Sequence, residues 1–354
     1  MIFLSFAPNF TIGSALRHLF IPATHRSSAN LQSALSARYG GKAYLYYNCR
    51  SALSEALRAT VPKGSKVAIS GLTCYAVVQA VRAAGCTPVY IDIRKSDLHF
   101  GAEELEKSAK GCKAIIVQNM LGLPADIAAI ENYAEKSGAL IIEDLAHSAG
   151  IKYADDREAG TIGCVAVLSF GKNKSLDTTH GGALILRQPP LRAPTIAKKS
   201  PKLSSRFRDR VYPITGWLIR KTYPIGLGKL IAAFAFKIHL ISRSADGSVT
   251  PSVRLAHWQS KLALKQLSSL KNSSPLRNHI LIEDRDSAIK KLHKHGIFLD
   301  EIWYSPPISP ARYYHLADYH EDNCPVATQV AKTILNLPSH PATTRKIKQI
   351  LGVK

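Results

Sequence analysis

Acidic residues are scarce in this sequence: 25 Asp and Glu stand against 47 Lys and Arg in 354 residues, a formal net charge of +22. A deficit of that size points to an anionic partner such as nucleic acid, a lipid surface or a phosphorylated substrate, without choosing among them. Metal and disulfide frameworks are missing as well. The six cysteines, Cys49, Cys74, Cys86, Cys112, Cys164 and Cys324, form no CxxC or Cys/His spacing, and several lie in apolar runs. They read as buried free thiols of a reducing cytoplasm. No run of about 18 uncharged apolar residues occurs, so no spanning helix is expected. The start, MIFLSFAPNFTIGSALRHLF, has no basic stretch before its apolar part and no small-residue cleavage site, so it does not read as a secretory signal. Internal repeats and low-complexity tracts are absent too.

What is present, from Lys66 to about Arg187, is a series of short apolar runs rich in β-branched residues: KVAIS (66–70), TPVYIDI (87–93), KAIIVQN (113–119), ALIIED (139–144), VAVLSF (165–170) and GALILR (182–187). Amphipathic stretches such as YAVVQAVRAAG and DIAAIENYAEKSG lie between several of them, each ending in a glycine suited to a helix C-cap. Continuous apolar strands separated by helices predict an α/β fold with a mostly parallel sheet covered on both faces. Ligands of such sheets bind beyond the carboxyl ends of the strands. Asp144 and the Ser169–Lys174 segment fall at those ends. After a basic stretch, a helical register resumes near Arg254 (RLAHWQSKLALKQLSSL). The tail then reads as helix, a strand in GIFLDEIWY, a Pro-rich loop and two helices.

A strand-end carboxylate and a strand-end lysine together suit pyridoxal phosphate. That cofactor needs an amine to hold its aldehyde as a Schiff base, and a carboxylate to keep its ring nitrogen protonated. It also needs donors for its phosphate, for which a helix N-terminus serves. The competing reading makes Asp144 a helix cap and leaves Lys172 and Lys174 solvated. Spacing alone leaves both open.

The blocks NCRSALSEAL, VPKGSKVAISGLTCYAVVQAVRAAGCTPVYIDI, IIEDLAHSAGIKY and LSFGKNKSLDTTHGGALIL resemble the DegT/DnrJ/StrS family of sugar aminotransferases. The likeness runs over about residues 30–187. It returns in the tail at RLAHWQSKLALKQL, HGIFLDEIWYSPP and CPVATQVAKTILNLPSHPATTRKIKQIL. The resemblance implies a pyridoxal-phosphate fold of type I, with a large α/β domain over 1–250 and a smaller C-terminal domain over 251–354. Also implied are a homodimer, an amino-acid donor such as glutamate, and a nucleotide-linked keto-sugar as acceptor. Carried onto this chain, the family pattern makes Lys174 the aldehyde-binding lysine and leaves Lys172 a surface or phosphate-side charge. It sets Asp144 at the pyridine nitrogen, Ala146 near the ring, His147 by the ring hydroxyl, and Ser169 at the phosphate. His147 also admits a core or capping role.

The chain departs from the family in several places. Cys49-Arg50, followed by Ser51, replaces the usual Gly-Thr at the first helix N-terminus. Arg50 either adds a bidentate phosphate contact or fills the pocket. Cys74 stands where an aromatic residue often stacks on the ring. Ser252 replaces the asparagine that crosses from the partner subunit, and His180 replaces the acid before the glycine pair. These departures keep a second reading open, that of a catalytically altered cofactor-binding or membrane-surface protein. Family dehydratases carry histidine in place of the lysine, and Lys174 argues against that activity. Residues 190–245 lie where the family varies. They are either solvated surface or a peripheral contact for an anionic membrane through Trp217, Tyr223, Phe234 and Phe236. Nucleic acid is the weaker partner, since no binding motif accompanies the charge.

Overall fold

The computed structural model describes residues 2–22, 24–243, 246–270, 275–299 and 302–353. Its centre is a sheet of seven strands: β1 (Lys42–Tyr46), β2 (Lys66–Ser70), β3 (Thr87–Ile91), β4 (Cys112–Gln118), β5 (Leu140–Asp144), β6 (Val165–Ser169) and β7 (Gly182–Leu186). The order across the sheet is β1-β7-β6-β5-β4-β2-β3. Neighbours from β6 to β3 pair in parallel, and β7 runs antiparallel to both β1 and β6. The six apolar runs read from the sequence are six of these strands, with ends moved by a residue or two. β1 escapes the pattern because KAYLY holds none of the β-branched residues that mark the other six runs.

Successive strand residues face opposite sides, and the core divides accordingly. Ala68, Ile115, Val117, Ala166 and Leu168 join one buried cluster with α2 (His25–Tyr39), α6 (Ile127–Ser137) and α9 (His257–Ser269). Val67, Ile69, Ala114, Ile116, Ile142, Val165 and Val167 join the other, with α3 (Cys49–Thr60) and α4 (Tyr75–Ala83). Each Val, Ile or Leu among them contributes roughly 1.5–3 kcal/mol of transfer free energy. The helix ends follow the sequence. Asp126 caps α6 through Ala129 N–H, and Gly138 ends it with φ +68°. A short helix, α5 (Ala102–Ser108), completes the first half.

The basic segment folds as two helices, α7 (Leu203–Thr222) and α8 (Leu227–Lys237). Together with α1 (Ile12–Leu19) they surround a separate apolar cluster that includes Phe10, Ala15, Tyr212, Ile219, Ala232 and Ala235. Among the described residues no helix is long and apolar enough to cross a membrane. Of the four aromatic residues expected at a membrane, Phe234 alone is exposed. Tyr223 packs edge-on against Phe298, Phe236 lies against Phe6 and under Arg243, and Trp217 is half-buried.

The C-terminal part adds α10 (Arg285–Lys294), α11 (Pro325–Thr333) and α12 (Pro341–Leu351), with an antiparallel pair β8 (Asn278–Leu281) and β9 (Ile334–Leu337). Ile280, Leu292, Leu335, Leu337 and Ile347 form its core. The stretch expected as the strand GIFLDEIWY is regular only at Ile297–Phe298, which pairs in parallel with Ile2–Phe3; its Asp300 and Glu301 lie outside the described residues. Ser244 and Ala245, at the end of the basic segment, also lie outside them.

Candidate active site

Strand periodicity alone brings three polar side chains to one edge. Ile116 and Gln118, Ile142 and Asp144, and Val167 and Ser169 are each two residues apart, and the first of each pair faces α3 and α4. Gln118, Asp144 and Ser169 therefore project from the same face at the carboxyl ends of β4, β5 and β6. In register, Gln118 lies opposite Asp144, and Ser169 opposite Gly182.

Asp144 is buried, with Gln118 Nε2 donating to Oδ2 at 3.0 Å and Ala146 N–H donating to Oδ1 at 3.1 Å. Thr73 Oγ1 in turn donates to Gln118 Oε1 at 2.6 Å. Burial pushes the Asp144 carboxyl up; the Ala146 N–H, the Lys174 charge and the Gln118 bond oppose that rise. Lys174 responds in mirror image. Burial lowers its amine, and the Asp144 carboxylate is among the groups that pull it back. The two residues thus share one desolvated neighbourhood.

The loop that carries Lys174 leaves β6 and returns as β7. Phe170 N–H donates to Gly181 O at 2.9 Å and Thr178 N–H to Phe170 O at 2.9 Å, closing it. Inside it, the buried Asp177 carboxylate accepts from Asn173 N–H, Thr179 N–H and Asn9 Nδ2 at 2.9, 3.0 and 3.2 Å. Asn173 adopts φ +62°, which an asparagine tolerates better than most residues. Lys172 is not the surface charge expected of it. It is buried, donates to Ser242 O and lies 4.1 Å from the Tyr212 ring centroid. Burial lowers its amine to about 8.

His147 stacks on Trp303 with ring centroids 4.8 Å apart and planes 17° apart. Leu121 N–H donates to His147 Nδ1 at 3.3 Å, so Nδ1 is an acceptor and the neutral ring carries its proton on Nε2. Burial, Lys174 and Arg277 hold this imidazole far below its ordinary range. Tyr304 Oη also lies 3.3 Å from His147 Nδ1. Lys174 Nζ is 4.7 Å from the Trp303 ring centroid.

At the other end stands the N-terminus of α3. Asn48 Oδ1 caps it, accepting from Ser51 N–H at 2.8 Å and Ser51 Oγ at 2.9 Å. Gly182 makes this approach possible, since a Cβ there would stand 2.4 Å from Cys49 Cα and 2.5 Å from Cys49 N. Arg50 is buried, and Gly247 gives it room: a Cβ at Gly247 would fall 2.6 Å from Arg50 Nη1. Ser51 Oγ accepts from Thr250 N–H at 2.8 Å. Cys49 remains a thiol, pushed up by burial and the Asp144 charge. The charge of Cys74 would bear on both Arg50 and Lys174, so that residue lies near both.

Structure thus gathers Asp144, His147, Ser169, Lys174, Arg50, Ser51 and Cys74 around one region. Ser252 is not drawn in by its side chain; its carbonyl accepts from Lys199 N–H at 2.9 Å. His180 does not reach the cofactor residues either. Its Nδ1 lies 2.8 Å from Asp209 Oδ1, and its ring stacks on Tyr47. Sequence reasoning missed Gln118, Trp303 and Tyr304. The KAIIVQN run ended in Gln118, and the WYSPP block was visible, but neither spacing nor charge marked them as site residues.

Residues 30–210 and 252–352 match the DegT/DnrJ/EryC1/StrS aminotransferase family. The chain belongs to this family. It is a pyridoxal-phosphate-dependent aminotransferase. GDP-perosamine synthase of Caulobacter vibrioides is 27% identical over 84% of this chain and 80% of that protein. The Escherichia coli O157:H7 GDP-perosamine synthase is 30% identical over 37% of this chain, a match spanning about a third (36%) of that protein. Among solved structures, an E. coli GDP-4-keto-6-deoxy-D-mannose-3-dehydratase with bound hydrated PLP has a TM-score of 0.70 at 15% identity, covering 99% of this chain and 100% of that one. That likeness speaks to the fold alone.

The residues present fit pyridoxal phosphate. A desolvated amine and a carboxylate fixed by two donors lie together, a neutral imidazole with its proton on Nε2 stands beside them, and a capped helix N-terminus closes the far end.

Proposed function

We propose that this aminotransferase moves an amino group, from a donor such as glutamate, onto a keto-sugar carried by a nucleoside diphosphate, in amino-sugar or surface-polysaccharide synthesis. The nucleotide-linked sugars in its relatives' names and the excess of bases on this chain support the acceptor class. The observation that carries the reading is that Lys174 and Asp144, at or beyond adjacent strand ends, are both desolvated and each lies within reach of the other's charge. Lysine at 174 favours amino transfer over dehydration, since transfer needs an amine that moves a proton.

When bound, pyridoxal phosphate supplies an electron-withdrawing ring that acidifies the bond to be broken. Lys174 would bond its aldehyde and then take and return the proton at Nζ. Desolvation lowers this amine, so more of it is neutral near pH 7 than an ordinary lysine offers. Asp144, held by Gln118 and Ala146, would keep a proton on the ring nitrogen. His147 would donate Nε2–H to the ring oxygen. Ser169, Ser51, Arg50 and the first-turn N–H groups of α3 would hold the phosphate. Trp303 and Tyr304, from the C-terminal part, would exclude water. In this reading the large domain is 1–250, the small domain 251–354, and Ser252 acts across a homodimer in the cytoplasm.

The test is the absorbance spectrum with added pyridoxal phosphate, beside Lys174→Ala. A visible band trapped by borohydride in the wild type only, and bleached by glutamate, is expected. Amination of a nucleotide-linked keto-sugar should then follow by mass spectrometry. No band at saturating cofactor would overturn the reading.

A further inference from the structure

Away from Lys174, one cavity has three arginines among its eight lining residues. Its volume is about 110 Å³, and Ser200, Arg206, Arg210, Arg254, His257 and Trp258 line it, with no carboxylate among its lining residues. Three elements build it. The start of α7 gives Arg206 and Arg210. A bridge between Lys199 and Val253 sets Ser200 beside Arg254. The first turn of α9 gives His257 and Trp258, and the positive end of that helix dipole faces the same space.

Hydrogen bonds hold two of these arginines in the wall. Arg254 donates to His257 Nε2 at 2.6 Å and to Ser200 Oγ at 3.0 Å. A ring that accepts from a guanidinium is neutral, and its Nδ1–H donates to Ser28 Oγ at 2.8 Å. Burial, Arg254, His25 and Arg206 hold His257 down at about 4. Arg210 donates to the carbonyls of His18, Leu19 and Ile21 and lies over the Trp258 ring, 4.8 Å from its centroid. Asp209, the nearest acid along α7, turns to His180 and Tyr47.

The surroundings are apolar where water would favour polar groups. Phe20, Leu203 and Phe207 are 79%, 78% and 62% exposed. Phe20 lies between the Leu19 and Ile21 carbonyls that Arg210 holds. Leu203 and Phe207 are one turn apart on α7, on the face that carries Arg206. A second copy of this chain on the same surface would set these arginines against their own counterparts. Nucleic acid would leave the exposed leucine and phenylalanines without an apolar partner. A phospholipid satisfies both halves, because its phosphate and its acyl region lie a few ångströms apart.

We propose that this cavity and its rim dock the phosphate headgroups of an anionic bilayer, with Arg206 and Arg254 on the phosphate and Phe20, Leu203 and Phe207 in the interface. The contact lies at the start of the basic segment and on α1, away from the aromatic residues that the sequence singled out.

Flotation of the full chain with phosphatidylglycerol vesicles, beside phosphatidylcholine vesicles, tests it. Wild type should rise with the first and not the second. Arg206→Gln should weaken recovery about fivefold, the share of one arginine near an anionic surface. Arg206→Lys should restore most of it, and Phe207→Ser should weaken recovery comparably. Both positions are solvent-facing, and unchanged melting temperatures check the fold. Equal recovery of wild type and Arg206→Gln would overturn the proposal, as would loss confined to Leu230→Ser/Phe234→Ser on α8. So would a melting-temperature rise with inorganic phosphate but no vesicle recovery, which marks a free-phosphate site, or a change of oligomeric state in Phe207→Ser. Aminotransfer is assayed without vesicles, so either reading can fail alone.

Discussion

Gln118 and Asp144 lie opposite one another on adjacent parallel strands, and Gln118 Nε2 donates to Asp144 Oδ2 at 3.0 Å. Thr73 fixes the other end of the Gln118 amide, so the carboxylate is aimed before any cofactor arrives. Replacing Gln118 with Leu removes one bond to a charged group, a loss of about 1.5–3 kcal/mol. Pyridoxal phosphate affinity, titrated by absorbance, should fall roughly 10- to 100-fold while the melting temperature barely moves. Asp144→Ala should do more, and an unchanged affinity in Gln118→Leu would show that the carboxylate orients itself.

Gly182→Ala probes the other end of the site. The added Cβ would meet backbone atoms of Cys49 at 2.4 and 2.5 Å, and backbone cannot swing aside as a flexible side chain can. The first turn of α3 must shift, taking Ser51 and Arg50 with it. A stability loss of about 1–3 kcal/mol is expected in urea. Affinity for the cofactor should drop further than for the phosphate-free aldehyde pyridoxal, because the displaced groups are those at the phosphate.

The loop bearing Lys174 is tied to the basic segment through His180 and Asp209. Asp209 is buried, and despite that burial His180 and Tyr47 keep its carboxyl below the usual range. His180→Ala leaves the carboxylate with Tyr47 as its main remaining donor, and should cost about 3 kcal/mol. The double variant His180→Ala/Asp209→Ala should cost less than the sum of the two single changes. Additive losses in a denaturant double-mutant cycle would show that the two side chains act independently.

His18 makes stability sensitive to acid. It is buried between Phe10 and Trp258, and burial followed by the Arg210 charge lowers it to about 4 from 6.5. The folded state therefore binds this proton less readily than the unfolded chain. Stability from His18 is complete above pH 6.5 and is lost as pH falls from 6.5 toward 4. By pH 5 the loss should be about 2 kcal/mol. His18→Phe should remove that part of the slope, read as urea midpoints at pH 7 and pH 5; an unchanged slope would mean that the imidazole titrates elsewhere.

Much of the frame was legible because short-range rules govern it. Six apolar runs became six strands, and Asp126 and Gly138 bounded α6 as capping chemistry predicts. Strand-end placement marked Asp144 and the segment that holds Lys172 and Lys174, and the family resemblance chose Lys174 between the two. The neutral tautomer of His147 was not legible, since Leu121 supplies its donor from a different strand end. Lys172 looked solvated for the same reason: the carbonyl of Ser242, which buries and satisfies it, is 70 residues away.

By itself, then, the sequence determined what local periodicity and turn chemistry can carry: a mostly parallel sheet, its helices, and two titratable groups at strand ends. Only the tertiary structure decided what depends on groups remote in the chain. It put Gln118 on Asp144, Trp303 and Tyr304 against His147, Asp209 under His180, and three arginines around one cavity. Burial and pairing set the charge of those groups, and both are properties of neighbours in space, which no spacing along the chain records.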